Sequence, residues 1–152
     1  MPHDETPQQD AQAPDQPARR VTQHGVTPDE ALSITSPVTR EGGYAAMIDL
    51  LHLSEPPTAA LCYNNIVAFG AMLSLQAADR APGQDFAIVG FDNIADSAQW
   101  RPALTTVSIT PQQIAEEAVG LLLDRIAHPD DPPRQIILAP ELIVRDSSGP
   151  YS

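Results

Sequence analysis

The sequence predicts an α/β fold, an open and mainly parallel sheet flanked by helices. Three observations predict it. From residue 39 onward, short apolar runs of strand length alternate with longer segments of helical periodicity. The run FAIVGF at 86–91 carries no polar side chain, which suits a strand covered on both faces. The chain has 152 residues, 42% of them hydrophobic and 18% charged, enough for one domain with a real core.

Residues 1–20 (MPHDETPQQDAQAPDQPARR) are Pro, Gln and Asp with almost nothing to bury, and are expected to be disordered. A transition at 21–38 offers Val26 and the stretch 32–34 as a short strand. Thr39 can cap a helix over 40–53, where Ala45, Ile48 and Leu51 recur at helical spacing and Pro56 and Pro57 mark the end. TAALCY at 58–63 is a short apolar run of strand length. Asn64 or Asn65 can cap the next helix, to about Asp79, with Ile66, Gly70, Leu73 and Ala77 along one face. The strand at 86–91 follows, then another at 104–109. Thr110, Pro111 and Gln113 combine an N-cap, a proline at the first helical position and a capping-box partner. They predict a helix to Ala127 with Ile114, Ala118, Leu121, Leu122 and Ile126 on its apolar side. A turn at 130–133 leads to two strands, 135–139 and 141–145, broken at Pro140.

Charge and composition narrow the function. The formal net charge is −12, every basic residue is Arg, and the pI is about 4.4. Such a surface repels phosphate backbones, so no direct DNA contact by this chain is expected. Cys62 is the one cysteine and lies inside an apolar run, which reads as a small buried hydrophobe rather than a nucleophile. His3, His24, His52 and His128 show no ligand spacing, so neither a metal site nor a cofactor is expected. No apolar stretch approaches the roughly 20 residues of a membrane span, and the first residues lack the pattern of a secretory signal. A cytoplasmic location is the expectation.

In open α/β sheets, ligands bind beyond the carboxyl ends of the strands. Two polar residues lie at such ends, Asn64 after TAALCY and Asp92 after FAIVGF. Parallel neighbouring strands would bring both to one rim. A carboxylate accepts two hydrogen bonds, which suits vicinal hydroxyls of a sugar or ring nitrogens of a base, and an Asn amide both donates and accepts. Trp100 could form an apolar wall or a patch for a partner subunit. Each has a plainer alternative: Asn64 as a helix N-cap, Asp92-Asn93 as turn chemistry, Trp100 as packing. The pair Gly42-Gly43 is not followed by a phosphate-loop pattern and gives no nucleotide signal. No catalytic residue is expected, since Asp92 has no second carboxylate, histidine or metal cluster within reach.

Two stretches carry a resemblance. PTAALCYNNIVAFGAM at 57–72 and IVGFDNIADSAQWRPALTTV at 88–107 resemble, in order and spacing, segments of LacI/GalR-type transcriptional regulators. LLLDRI, the turn after it and the P-x-L-[IV]-x-R pattern at 140–145 resemble the family's tail, and TREGGY at 39–44 resembles its turn into the preceding helix. The resemblance covers about residues 24–148. It implies half of a periplasmic-binding-protein-like type I fold, with a small-molecule effector, sugar or nucleoside-like, held in a cleft between two subdomains, and a homodimer. It implies that Asp92 binds the effector and that Asn64 assists. Trp100 falls near the subunit contact, and Ile66, Val67 and Gly70 lie on the helix that forms part of it.

The chain departs from the family pattern at Asn65, where the family usually has Asp, and at Val38, which cannot stack where an aromatic effector contact often sits. Nothing in residues 1–38 resembles the family's DNA-binding head or its amino-terminal subdomain. The expected organisation is a disordered segment at 1–20, a partial effector-binding domain at 21–148 and a tail at 149–152. By family analogy, the helix at 111–127 and the strand near 136–138 belong to the absent subdomain. Burying or exposing each Leu or Ile matters by about 1.5–3 kcal/mol. The chain is therefore expected to be marginal, self-associating or completed by another polypeptide. Two other readings are a non-functional truncated remnant and the solute-binding component of a transport system; the second needs export.

Overall fold

The computed structural model describes Thr27 and residues 29–149. The chain divides into two compact units, Met1–Ser33 and Ile34–Ser152. The expectations for 1–20 and for Val26 lie outside the described residues. In the first unit, the strand expected around 32–34 is replaced by a 3-10 turn, Glu30–Leu32. Its cause is local: the Asp29 carboxylate accepts the Ala31 N–H at 2.9 Å, which closes a turn before a strand can extend.

The second unit is an α/β sheet. Its elements are α1 (Arg40–Leu51), β1 (Ala59–Leu61), α2 (Asn65–Ala77), β2 (Ala87–Phe91), α3 (Asp96–Gln99), β3 (Thr105–Ser108), α4 (Pro111–Ala127) and β4 (Glu141–Ile143). The sheet has the order β1-β2-β3-β4. β1, β2 and β3 are mutually parallel, with Leu61 registered on Val89 and Phe91 on Val107, and β4 closes the sheet antiparallel to β3. The predicted fold class is the observed one.

The Thr39 cap forms as expected, with its hydroxyl accepting the Gly42 N–H at 3.0 Å. α1 ends at Leu51, before the two prolines are reached. The face predicted for α2 is corrected: Leu73 and Ala77 are exposed, while Val67, Phe69, Met72 and Leu75 are buried. This helix carries no charged residue, and packing against α1 on one side and β2 on the other buries most of its circumference. A stripe analysis fails on such a helix because there is no polar face to find. The core lies here, around Met47, Phe69, Met72, Leu75, Phe86 and Ile88.

α4 has the predicted bounds, but its start works differently. Thr110 makes no side-chain cap bond, and Gln112 rather than Gln113 is engaged, donating to Glu116 at 3.0 Å. Pro111 at the first position, with its fixed φ, starts the helix instead. The strand expected at 135–139 does not form. Those residues run on from Pro132 and Pro133 into Pro140 without a sheet neighbour, and only Glu141–Ile143 pairs with β3.

None of α4's residues is buried, and Leu122, Leu123 and Ile126 are 58%, 60% and 68% exposed. Of the apolar side expected for α4, Ile114, Ala118, Leu122 and Ile126 are exposed and Leu121 is half-buried, and Leu123, outside that side, is exposed as well. An environment-sensitive dye should brighten strongly on the chain, and Leu122→Glu with Leu123→Glu should remove most of that signal. A dye-inert, stable monomer on size exclusion would contradict it.

Candidate functional site at the carboxyl edge of the sheet

Parallel pairing of β1 with β2 sends both strand ends to one edge. Asn64 and Asp92 each follow the registered pair Leu61–Val89 by three residues, so the topology brings these two predicted site residues to the same rim. β3 ends beside them, since Asp92 N–H donates to the Val107 carbonyl at 2.9 Å.

Asp92 has φ +96° and Asn93 φ +49°. Two consecutive non-glycine residues in the left-handed region cost about 1–3 kcal/mol each, and persist only where their surroundings hold them. The Asp92 carboxylate is half-buried and makes no hydrogen bond or ion pair among the described residues. A carboxylate in that state has its acceptor capacity unspent.

Asn64 is the cap of α2: its amide oxygen accepts the Val67 N–H at 2.9 Å. The plainer reading of Asn64 therefore holds for that oxygen, while its amide NH2 has no partner among the described residues. Trp100 stacks on Phe69, with ring centroids 4.3 Å apart and planes 18° from parallel, and the Arg40 guanidinium lies over both rings. Val67 and Gly70 are buried and Ile66 is half-buried. A Cβ on Gly70 would collide with the Arg40 carbonyl, so α1 covers that position within the chain. Val38 is exposed.

Residues that the sequence did not mark as site residues hold the rim in place. Asn65 is fully buried; its amide NH2 donates to Ser97 Oγ at 2.6 Å, and its amide oxygen accepts from Thr106 Oγ1 at 2.7 Å. Thr106 Oγ1 also accepts the Asn93 N–H at 3.3 Å. Arg145 donates to Asn93 Oδ1 at 2.8 Å and to the Leu104 carbonyl at 2.7 Å. Ser147 Oγ accepts the Thr105 N–H and donates to the Ile88 carbonyl. A signal existed in Thr105 and Thr106: hydroxyls inside a strand covered by neighbours need partners.

Two cavities lie elsewhere. One of about 380 Å³ is lined by residues such as Leu121, Arg125, His128 and Pro133, and one of about 390 Å³ by residues such as Gln76, Arg80 and Pro102. Neither includes Asp92 or Asn64.

Cys62 is buried, and loss of solvation pushes its thiol up from 9.0 to about 12. The thiol, not the reactive thiolate, is then present at neutral pH. Cys62 should resist a thiol reagent in the native chain and react at once in denaturant, as a colorimetric thiol assay would read. Among the described residues, no group of three or more His, Cys, Asp or Glu could hold a metal ion. No helix among them is long and apolar enough to cross a membrane.

Residues 4–148 match the family described as periplasmic binding protein-like domain. The transcriptional repressor PurR of Mannheimia succiniciproducens is 38% identical over 107 residues, covering 70% of this chain and 32% of that protein. PurR of Erwinia tasmaniensis is 33% identical over 135 residues, covering 88% of this chain and 40% of its own length. The chain thus spans about a third of the curated relatives it matches. Among solved structures, a LacI-family regulator from Enterococcus faecium with bound ribose superposes with TM-score 0.69 at 28% identity, covering 77% of this chain and 43% of that one. The CelR–cellobiose complex does so with TM-score 0.78 at 28% identity, covering 85% and 39%. These relatives are named as regulators of transcription, in line with the expectation that no bond is made or broken here. The chain belongs to the periplasmic binding protein-like domain family, as an effector-binding region of the LacI type.

Proposed function

We propose that the rim formed by Asp92 and Asn64 is one wall of a binding site for a small polyhydroxylated effector, a sugar or a nucleoside-like molecule. The observation that carries this is the Asp92 carboxylate, held in a strained turn at the carboxyl edge of a parallel sheet without a partner among the described residues. Such a group can accept two hydrogen bonds from neighbouring hydroxyls, and the free NH2 of Asn64 can donate a third. Ribose in one structural relative and cellobiose in another support the sugar class for this chain. The reading includes a cytoplasmic regulator in which a second lobe closes over the effector and a homodimer changes state. The dimer contact would be carried by the α1–α2 layer. Of the four interface candidates, Ile66 and Trp100 keep some surface, while Val67 and Gly70 are buried within the chain and offer a partner subunit no surface of their own.

The test is calorimetric titration of the chain with ribose, cellobiose and adenosine. One class should saturate, and Asp92→Ala should weaken it by about a hundredfold, the loss expected for two charge-assisted hydrogen bonds. Saturable binding that survives Asp92→Ala unchanged would refute the role. A second reading, a non-functional remnant, is favoured by one observation, that α4 buries none of its residues. It predicts no saturable binding by any of the three solutes.

A further inference from the structure

The turn that presents Asp92 is strained at two successive residues, and the bonds that hold it come from β3 and from the segment after β4. Asp92 N–H is tied to Val107 and Asn93 N–H to Thr106 Oγ1, both on β3. These two bonds fix the backbone N–H groups of the turn and leave its side chains free. Asn93's side chain is fixed by Arg145, which follows β4 and lies 52 residues further along the chain.

Arg145 is itself anchored firmly. Its backbone N–H donates to Thr105 Oγ1 at 2.8 Å, and Thr105 Oγ1 donates to its carbonyl at 3.1 Å. Its guanidinium then spans two acceptors, the Leu104 carbonyl at the start of β3 and Asn93 Oδ1 in the turn. A planar fork of donors suits two acceptors fixed on different elements, and a lysine ammonium, with a single nitrogen, cannot reach both. Arg145 makes no ion pair with Asp92 or with any other carboxylate among the described residues. Its charge is spent on two neutral oxygens, which leaves the Asp92 carboxylate unpaired and available.

We propose that Arg145 is the positioning residue of the effector site: by clamping Asn93 to the start of β3 it holds the Asp92–Asn93 turn in its left-handed conformation, so that the Asp92 carboxylate stands out from the rim. The inference rests on the reading of Asp92 as the effector-binding group. It gives the antiparallel strand β4 a task, to carry Arg145 to the start of β3, from where its guanidinium reaches Asn93.

The experiment is solution NMR on the full chain, wild type against Arg145→Met and Arg145→Lys, reading the three-bond amide-to-Hα couplings of Asp92 and Asn93. The same samples are then titrated with ribose. In Arg145→Met, both couplings should move toward extended-chain values while core amides such as those of Met72 and Leu75 keep their shifts. Ribose affinity should fall about tenfold, the equivalent of one charge-assisted hydrogen bond. Arg145→Lys, which keeps one of the two bonds, should recover part of each. Should Arg145→Met fail to fold, Asn93→Gly removes the acceptor without penalising the positive φ, leaves the bond to Leu104, and should shift the Asp92 coupling in the same direction. Unchanged couplings at Asp92 and Asn93 overturn the proposal whatever ribose does. Couplings that move while ribose affinity stays constant overturn the effector reading of Asp92, and with it the part of Arg145 in binding. If ribose does not saturate the wild-type chain, the couplings alone decide the role of Arg145.

Discussion

Gly70→Ala is expected to destabilise the chain by about 3 kcal/mol, the upper end of what overpacking costs, because the colliding atoms are backbone. A Cβ on Gly70 would strike the Arg40 carbonyl and the Tyr44 nitrogen, and one on Gly43 would strike the Val67 carbonyl. The two glycines therefore sit where α1 and α2 touch backbone to backbone. Side chains could rotate away from an added methyl; two helices can only separate, which opens the core around Phe69 and Met47. A domain with ordinary stability of about 5–15 kcal/mol loses a large share of it. Gly120→Ala supplies the control. Nothing lies within 4 Å of a Cβ there, and the site is the interior of an exposed helix. That change should stabilise by about 0.5–1 kcal/mol through helix propensity. Urea unfolding monitored by Trp100 fluorescence checks both, and equal effects of the two substitutions would contradict the close helix crossing.

Asn65→Ala should cost roughly 2–4 kcal/mol, since it leaves two buried hydroxyls, Ser97 and Thr106, without the amide they bond. The effect should reach beyond stability. Thr106 Oγ1 also receives the Asn93 N–H, so freeing Thr106 to turn toward another acceptor loosens the Asp92–Asn93 turn. Hydrogen exchange should show faster exchange at Asn93 than the global loss of stability alone produces. Thr106→Val should reproduce this local effect, because it removes the hydroxyl from both bonds. An Asn93 amide that tracks global stability in both variants would show that the network ends at Thr106.

Much of the fold was legible because its signals are local. The Thr39 cap, Pro111 at the start of α4 and the apolar run ending at Phe91 each lie within a few residues of what they determine. The parallel sense of the strands followed from the alternation alone. The failures share a cause in partners distant along the chain. Leu73 and Ala77 looked like an inward face until α1 was placed against the other side of α2. The 135–139 segment has strand composition, but a strand needs a neighbour, and β3 offers its edge only to Glu141–Ile143. Gly42-Gly43 carries no phosphate-loop pattern, and Gly43 serves a helix crossing that no spacing rule announces. The shared rim was legible as two strand ends, Asn64 and Asp92. The groups that hold it were not: Asn65 read as a spare cap, and Arg145 as one letter of a tail pattern. Their meaning depends on contacts across 41 and 52 residues.

The most direct test of the account is an amide chemical-shift titration of the full chain with whichever of ribose, cellobiose or adenosine saturates it. The account predicts that the largest displacements fall on Asp92 and Asn93 and on the side-chain NH2 of Asn64, with α4 and the 76–84 loop unmoved. Saturation that shifts those distant regions and leaves Asp92 and Asn64 in place would contradict it.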